Sequence, residues 1–196
     1  KKLCPSSLLL EKGCVEAIGP TNIIVDRYLS SGQVAERFLQ WDDDDSPQSR
    51  EMKLESVKVV DDQGRSNASL VSGHSMAIEI NYQLLIDTKN LRIVITVQNG
   101  EGVDVFSTSD YLYQPENKLR KRGKCQSVCY IPGNFLTLDD YSVHVDFEIP
   151  MERSLIATQV LGFSIEELTL NQLGRTIAAK PLGVVHPELK WDVIST

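Results

Sequence analysis

Long apolar runs are missing from this 196-residue chain, and no segment approaches the ~20 apolar residues that a membrane helix needs. The first thirty residues also lack the basic, apolar and small-residue regions of a secretion signal. The chain opens at Lys1 without a methionine and reads as a piece of a longer polypeptide. Positive charge is scarce: 20 Lys and Arg against 27 Asp and Glu leave a net charge of −7, which disfavours nucleic acid or an anionic membrane as the main partner. The one strongly basic stretch, Lys118 to Lys124, is short, is balanced by an acidic run from Asp42 to Asp45, and is expected to be a solvated loop. Only four cysteines occur, without the C-x-x-C spacing and matching histidines of a zinc site. Cys125 and Cys129, four apart on an expected strand, would stand ~13 Å from each other, too far for a disulfide. Free thiols in a reducing compartment are the simplest account, and the sequon Asn67-Ala68-Ser69 then carries no meaning.

Catalytic patterns are equally absent. No G-x-x-x-x-G-K-[ST] loop is present to cradle phosphates, and no serine occupies a G-x-S-x-G turn. His74, His144 and His186 fall in three unrelated contexts. The string Leu29-Ser30-Ser31-Gly32-Gln33 is close to the LSGGQ signature of transporter ATPases, but no apolar strand ending in a carboxylate follows it, so the match is accidental and this segment is not expected to bind ATP. There is no internal repeat.

What is present is an alternation of two. Met76, Ile78, Ile80, Tyr82 and Leu84 alternate with polar residues, as do Leu91, Ile93, Ile95 and Val97, and Tyr141, Val143, Val145, Phe147 and Ile149. Weaker strands are expected at Met52 to Val60, Val103 to Ser107, Cys125 to Ile131, Gly162 to Ile165 and Lys190 to Val193. Short strands separated by Gly, Pro, Asn and Asp describe a mainly β protein, an antiparallel sandwich. Ahead of it, Leu8 to Gly19 reads as a hairpin turning near Lys12-Gly13. Thr21 then caps a helix that buries Ile23, Ile24 and Tyr28, and a second short helix can run from Ser30 to Gln40. The aspartate run that follows reads as a linker, because adjacent carboxylates repel and stay solvated.

The polar sides of the three best strands supply the candidate site. Asn81 and Gln83, with Glu79, then Arg92 and Thr96, then His144 and Asp146, with Glu148, oppose the core-facing residues and offer donors and acceptors to hydroxyl groups. Such a face suits a polar, uncharged or lightly charged ligand such as a sugar chain. Any half-exposed antiparallel sheet also looks like this, and the two readings weigh about equally. His144 and Asp146, at a ~7 Å repeat, are neighbours on a wet face rather than a catalytic pair. Tyr111 and Tyr113, two apart and same-sided if extended, add stacking surface in the long connection from Thr108 to Lys124. Trp191 is expected in the core.

Two stretches carry a family resemblance. The segment from Leu8-Leu9-Leu10-Glu11-Lys12-Gly13 through Gly19-Pro20-Thr21 to Asp26-Arg27-Tyr28-Leu29 resembles the end of an ABC-transporter nucleotide-binding domain. From Met52 onward the chain resembles the C-terminal extension of Wzt, the ATPase subunit that exports O-antigen polysaccharide. Phe163-Ser164-Ile165 and the ending Gly183-Val184-Val185-His186-Pro187-Glu188-Leu189-Lys190-Trp191 fit that family's close. The resemblance implies residues 1–40 as the nucleotide-binding remnant, 41–51 as an acidic linker and 52–196 as an immunoglobulin-like, carbohydrate-binding sandwich. It implies O-antigen polysaccharide as ligand, a membrane subunit as partner through the full-length ATPase, a homodimer, and a place at the cytoplasmic side of the inner membrane. No cofactor is expected in this piece, with ATP and magnesium belonging to the missing domain, and no enzymatic activity. A protein-interaction or dimerisation module without glycan contact is the alternative.

Overall fold

A computed structural model describes residues 4–11, 14–21, 23–24, 37–42, 44–67, 69–113, 119–151, 153–167 and 185. The chain divides into two compact units, one from Lys1 to Ala35 and one from Glu36 to Thr196.

The first unit contains the expected hairpin. Strand β1 (Ser6–Glu11) pairs antiparallel with β2 (Cys14–Pro20), with a register shift between Leu9 and Leu10. Thr21 adopts helical geometry, but its hydroxyl is bonded to the Cys4 carbonyl (2.6 Å) and the Ser7 hydroxyl (2.8 Å). It therefore ties the hairpin's end to its beginning. Ile24 is buried as expected, whereas Ile23 is 57% exposed, as one side of a turn must be. Tyr28 and residues 30–36 of the second helix lie outside the described residues.

The second unit is an antiparallel, immunoglobulin-like β-sandwich. One sheet has four strands in the order Gly123–Ile131 (β11), Met76–Leu84 (β6), Met52–Asp61 (β4) and Phe38–Gln40 (β3). The other has five: Leu70–Val71 (β5), Arg153–Glu167 (β13), Asp140–Ile149 (β12), Arg92–Asn99 (β8) and Asp104–Ser109 (β9). Among the described strands only β5 and β13 pair in parallel. Inward residues of both sheets form one core, including Leu54, Ile78, Tyr82, Val97, Val143 and Phe163. Tyr82 meets Phe147 edge-on across the sandwich, ring centroids 5.3 Å apart at 63°. The alternation that defined β6, β8 and β12 is thus the in-out period of a two-layer fold.

Two expectations meet a different outcome. Residues 38–40, placed with the helix, are an edge strand on β4, and the stretch read as a linker is tied to β4 on both sides of Asp43. Trp41 N–H donates to the Glu55 carbonyl, Leu54 N–H to the Pro47 carbonyl, and Ser46, 5% exposed, donates its hydroxyl to the Leu54 carbonyl. The backbone is satisfied by β4 while the side chains of Asp42, Asp44 and Asp45 face water, so repulsion never enters the packed layer. The basic stretch is likewise partly structured. Leu119–Arg120 (β10) pairs with Thr88–Lys89 (β7), and β11 begins at Gly123. The strand expected at Lys190 to Val193, Trp191, and all of the Gly183 to Trp191 ending except Val185 lie outside the described residues; Val185 bridges Leu136. All four cysteines are free.

Tyr141, at the start of β12, fixes a corner of the fold. Its hydroxyl donates to the Thr137 carbonyl (2.9 Å) and accepts from Thr137 N–H (3.1 Å), the tyrosine corner of immunoglobulin-like sandwiches. Tyr141→Phe strands both backbone groups in a buried place and is expected to cost about 1–3 kcal/mol in urea unfolding. A loss under about 0.5 kcal/mol would show that the corner does not hold the turn.

Candidate functional site

The candidate residues do not share one face. Asn81 and Gln83 stand on the outer side of the four-stranded sheet, whereas Arg92, Thr96, His144 and Asp146 stand on the outer side of the five-stranded one. The chain crosses between the sheets after Leu84, through β7, before β8 begins. Alternation reports only inside or outside, and this crossover puts the two outsides back to back. Tyr111 and Tyr113 also depart from expectation. Residues 110–113 form a 3-10 turn, in which residues two apart do not share a side. Tyr111 is partly exposed, and the Tyr113 side chain lies outside the described residues.

On the four-stranded sheet the polar groups are largely committed to one another. Glu79 pairs with Lys58 at 2.8 Å and accepts from Gln126 at 3.4 Å, and Asn81 donates to Ser56 at 3.0 Å. These are cross-strand partners that stabilise the sheet.

The five-stranded sheet is different. Registry sets Ser107, Thr96, His144 and Gln159 in one row across β9, β8, β12 and β13. Thr96 donates its hydroxyl to Ser107 (3.2 Å). A second line runs obliquely: His144 Nε2 meets Gln98 Oε1 at 3.0 Å, and Gln98 donates its amide to Asp104 at 2.8 Å. Arg92 is locked to Glu148 across the β8–β12 pair. Asp146, opposite Val94, has no hydrogen-bond partner among the described residues. Burial raises its carboxyl above the usual range; His144 pulls it back and Glu148 adds to the rise. The face is half-buried yet open, and its hydroxyl, imidazole, amide and carboxylate groups are held in fixed order. Gln98 and Ser107 extend the expected set. Gln98 was legible as two beyond Thr96, whereas Ser107 required the β8–β9 register.

A cleft of about 550 Å³ opens between β9 and β11, the outermost described strands of their sheets on that side, floored by Ile80, Ile93 and Ile95 and rimmed by Ser109, Asp110 and Gln126. Tyr130, 79% exposed, stands at its β11 side. No group of three or more His, Cys, Asp or Glu suited to a metal occurs among the described residues. No helix of the described residues is long and apolar enough to cross a membrane.

An immunoglobulin-like sandwich with an ordered polar sheet face defines the class. The particular family follows from residues 43–154, more than half of the chain, which match the family model of the Wzt C-terminal domain. The chain belongs to that family, whose setting is polysaccharide transport by ABC transporters. A crystal structure of the C-terminal domain of Wzt is similar in fold, with a TM-score of 0.57 at 13% identity, over 80% of this chain and 89% of that one. No curated protein sequence matches the chain.

Proposed function

We propose that this chain recognises the end of an O-antigen polysaccharide on the outer face of its five-stranded sheet, so that an ABC transporter can export it. One observation carries the reading: the row through Ser107, Thr96 and His144, with the His144–Gln98–Asp104 line beside it, is a preordered set of donors and acceptors on open sheet. Fixed polar groups of both kinds are what neutral hydroxyls require, and preordering spares the entropy of assembling them. The chain binds without turning the glycan over and needs no cofactor of its own; ATP and magnesium act in the parent ATPase. That ATPase works as a homodimer with a membrane subunit at the cytoplasmic side of the inner membrane.

Titration of purified O-polysaccharide against the chain tests this. Arg92→Ala and His144→Ala should each weaken binding roughly two- to tenfold, the value of one hydrogen bond to a neutral group. Stability should shift by less than about 0.5 kcal/mol for His144→Ala and by no more than about 1 kcal/mol for Arg92→Ala, the value of a half-exposed cross-strand ion pair. Chain shortening in the incubated polysaccharide would sink the non-catalytic reading, and unchanged affinity in both variants would sink the face. The alternative, a protein-interaction or dimerisation module, draws on Tyr130 standing exposed on β11, an outermost strand among the described residues. It would be favoured by a concentration-dependent dimer that Tyr130→Ser abolishes, together with no glycan binding.

A further inference from the structure

The charge on the outer face of the five-stranded sheet is uneven. Arg92 is the one cation among its described side chains, and Glu148 already occupies it. Asp104 accepts only from the neutral Gln98 amide, and Asp146 has no hydrogen-bond partner among the described residues. Among the described side chains Asp146 and Asp104 thus stand without a guanidinium or ammonium partner, the His144 imidazole alone easing the Asp146 charge, on a chain whose net charge is −7. An acidic sugar would bring its carboxylate or phosphate against these groups, where the one described guanidinium is already paired with Glu148. Like charges brought together at an interface cost affinity and exclude the wrong partner.

Asp146 also has the chemistry to select in the positive sense. An ionised carboxylate accepts at two oxygens and donates nothing, so it suits two adjacent hydroxyls, each giving up one hydrogen bond. Such bonds to a charged acceptor are stronger than those between neutral groups. On the neighbouring strand Val94 stands opposite Asp146, between the polar groups of Arg92 and Thr96. This places an apolar patch beside the carboxylate, where the C–H side of a pyranose ring can lie while its hydroxyls turn to the acid.

We propose that the face selects a glycan segment free of acidic groups and grips it through adjacent hydroxyls on the Asp146 carboxylate. The inference rests on the glycan reading above and adds the charge class of the sugar and the residue that enforces it.

The test uses the full chain on a panel of bacterial O-polysaccharides, some with neutral repeats and some carrying uronate or phosphate, with calorimetric titration of every binder. Each uronate polymer is also presented after chemical reduction of its carboxyl groups, which leaves the linkages in place. The expected binders are neutral polymers, with affinity nearly independent of salt. Asp146→Asn should weaken them about tenfold with an unchanged unfolding midpoint, because the amide keeps the shape and loses one acceptor and the charge. Mild periodate, which cleaves adjacent diols, should abolish binding. A preference for an unreduced acidic polymer, or Asp146→Asn with full affinity, would overturn the inference while leaving glycan recognition standing. Binding to no polymer on the panel would overturn the glycan reading and the inference with it.

Discussion

Arg120→Met should destabilise the domain by about 3 kcal/mol, a far larger effect than a residue in a basic surface stretch suggests. Its side chain is 10% exposed, and the guanidinium reaches three acceptors: the Tyr82 hydroxyl at 2.6 Å, the Leu91 carbonyl at 3.1 Å and the Asp110 carboxylate at 2.5 Å. The other oxygen of Asp110 accepts from Ile93 N–H at 3.0 Å, so one ion pair fastens the 3-10 turn to β8 and to the core tyrosine of β6. Removing one partner of a buried pair typically costs 3–5 kcal/mol, mostly for the charge left behind. The low end applies because Asp110 keeps 19% of its side-chain surface. Arg120→Lys should recover only part of the loss, since a point charge cannot span three acceptors set in a planar fork. Adding Asp110→Asn to Arg120→Met should also recover part, because the amide oxygen still receives Ile93 N–H and no charge is stranded. Urea unfolding reads all of these through the midpoint at constant slope. A loss below about 1 kcal/mol for Arg120→Met would mean that the pair breaks even against its desolvation, and the clasp would not be structural.

Arg120 also shows where sequence reading stops. The strands β6, β8 and β12 were legible because each keeps strict alternation over four or five apolar positions, and a half-buried strand leaves that period in any sequence. Arg120 sits in Lys118 to Lys124, where every local signal says solvent. Its burial is decided by Tyr82 and Asp110, thirty-eight and ten residues away. The candidate site divides along the same line. Thr96, His144 and Asp146 lie together because β8 pairs with β12, so that His144 faces Thr96 in register. Asn81 has the same polar phase in its own strand, yet its partners are Ser56 and Gln126 on the other sheet. Phase is a local property, whereas sheet membership is fixed by long-range pairing. The extended spacing read for Tyr111 and Tyr113 gives way to a turn for a related reason. The turn they occupy is held by the Asp110 carboxylate on Ile93 N–H and Arg120, contacts that no spacing within the loop could announce.

Phe147→Ala carries the other large expected effect and separates scaffold from site. Phe147 is fully buried and fills the layer between the sheets against Tyr82, while its strand neighbours Asp146 and Glu148 face outward. Truncation removes a ring that both sheets pack on, and such a cavity costs roughly 3–5 kcal/mol. Phe147→Leu keeps most of the volume and should cost less than half as much, leaving a folded protein whose glycan affinity is unchanged. The two large effects should also couple. Tyr82 touches Phe147 on one side and Arg120 on the other, so the cavity gives it room to swing away from the guanidinium. Arg120→Met should therefore cost less in the Phe147→Ala background than in the wild type, by roughly 0.5 kcal/mol or more, the size typical of residues that share a partner. Strict additivity would show that Tyr82 stays in place without its aromatic neighbour, and that the clasp is independent of the core. A fall in glycan affinity for folded Phe147→Leu would be more damaging. It would place the ligand's energetics between the sheets, near the cleft floored by Ile80, Ile93 and Ile95, and would remove the outer row through His144 as the place where sugar is read.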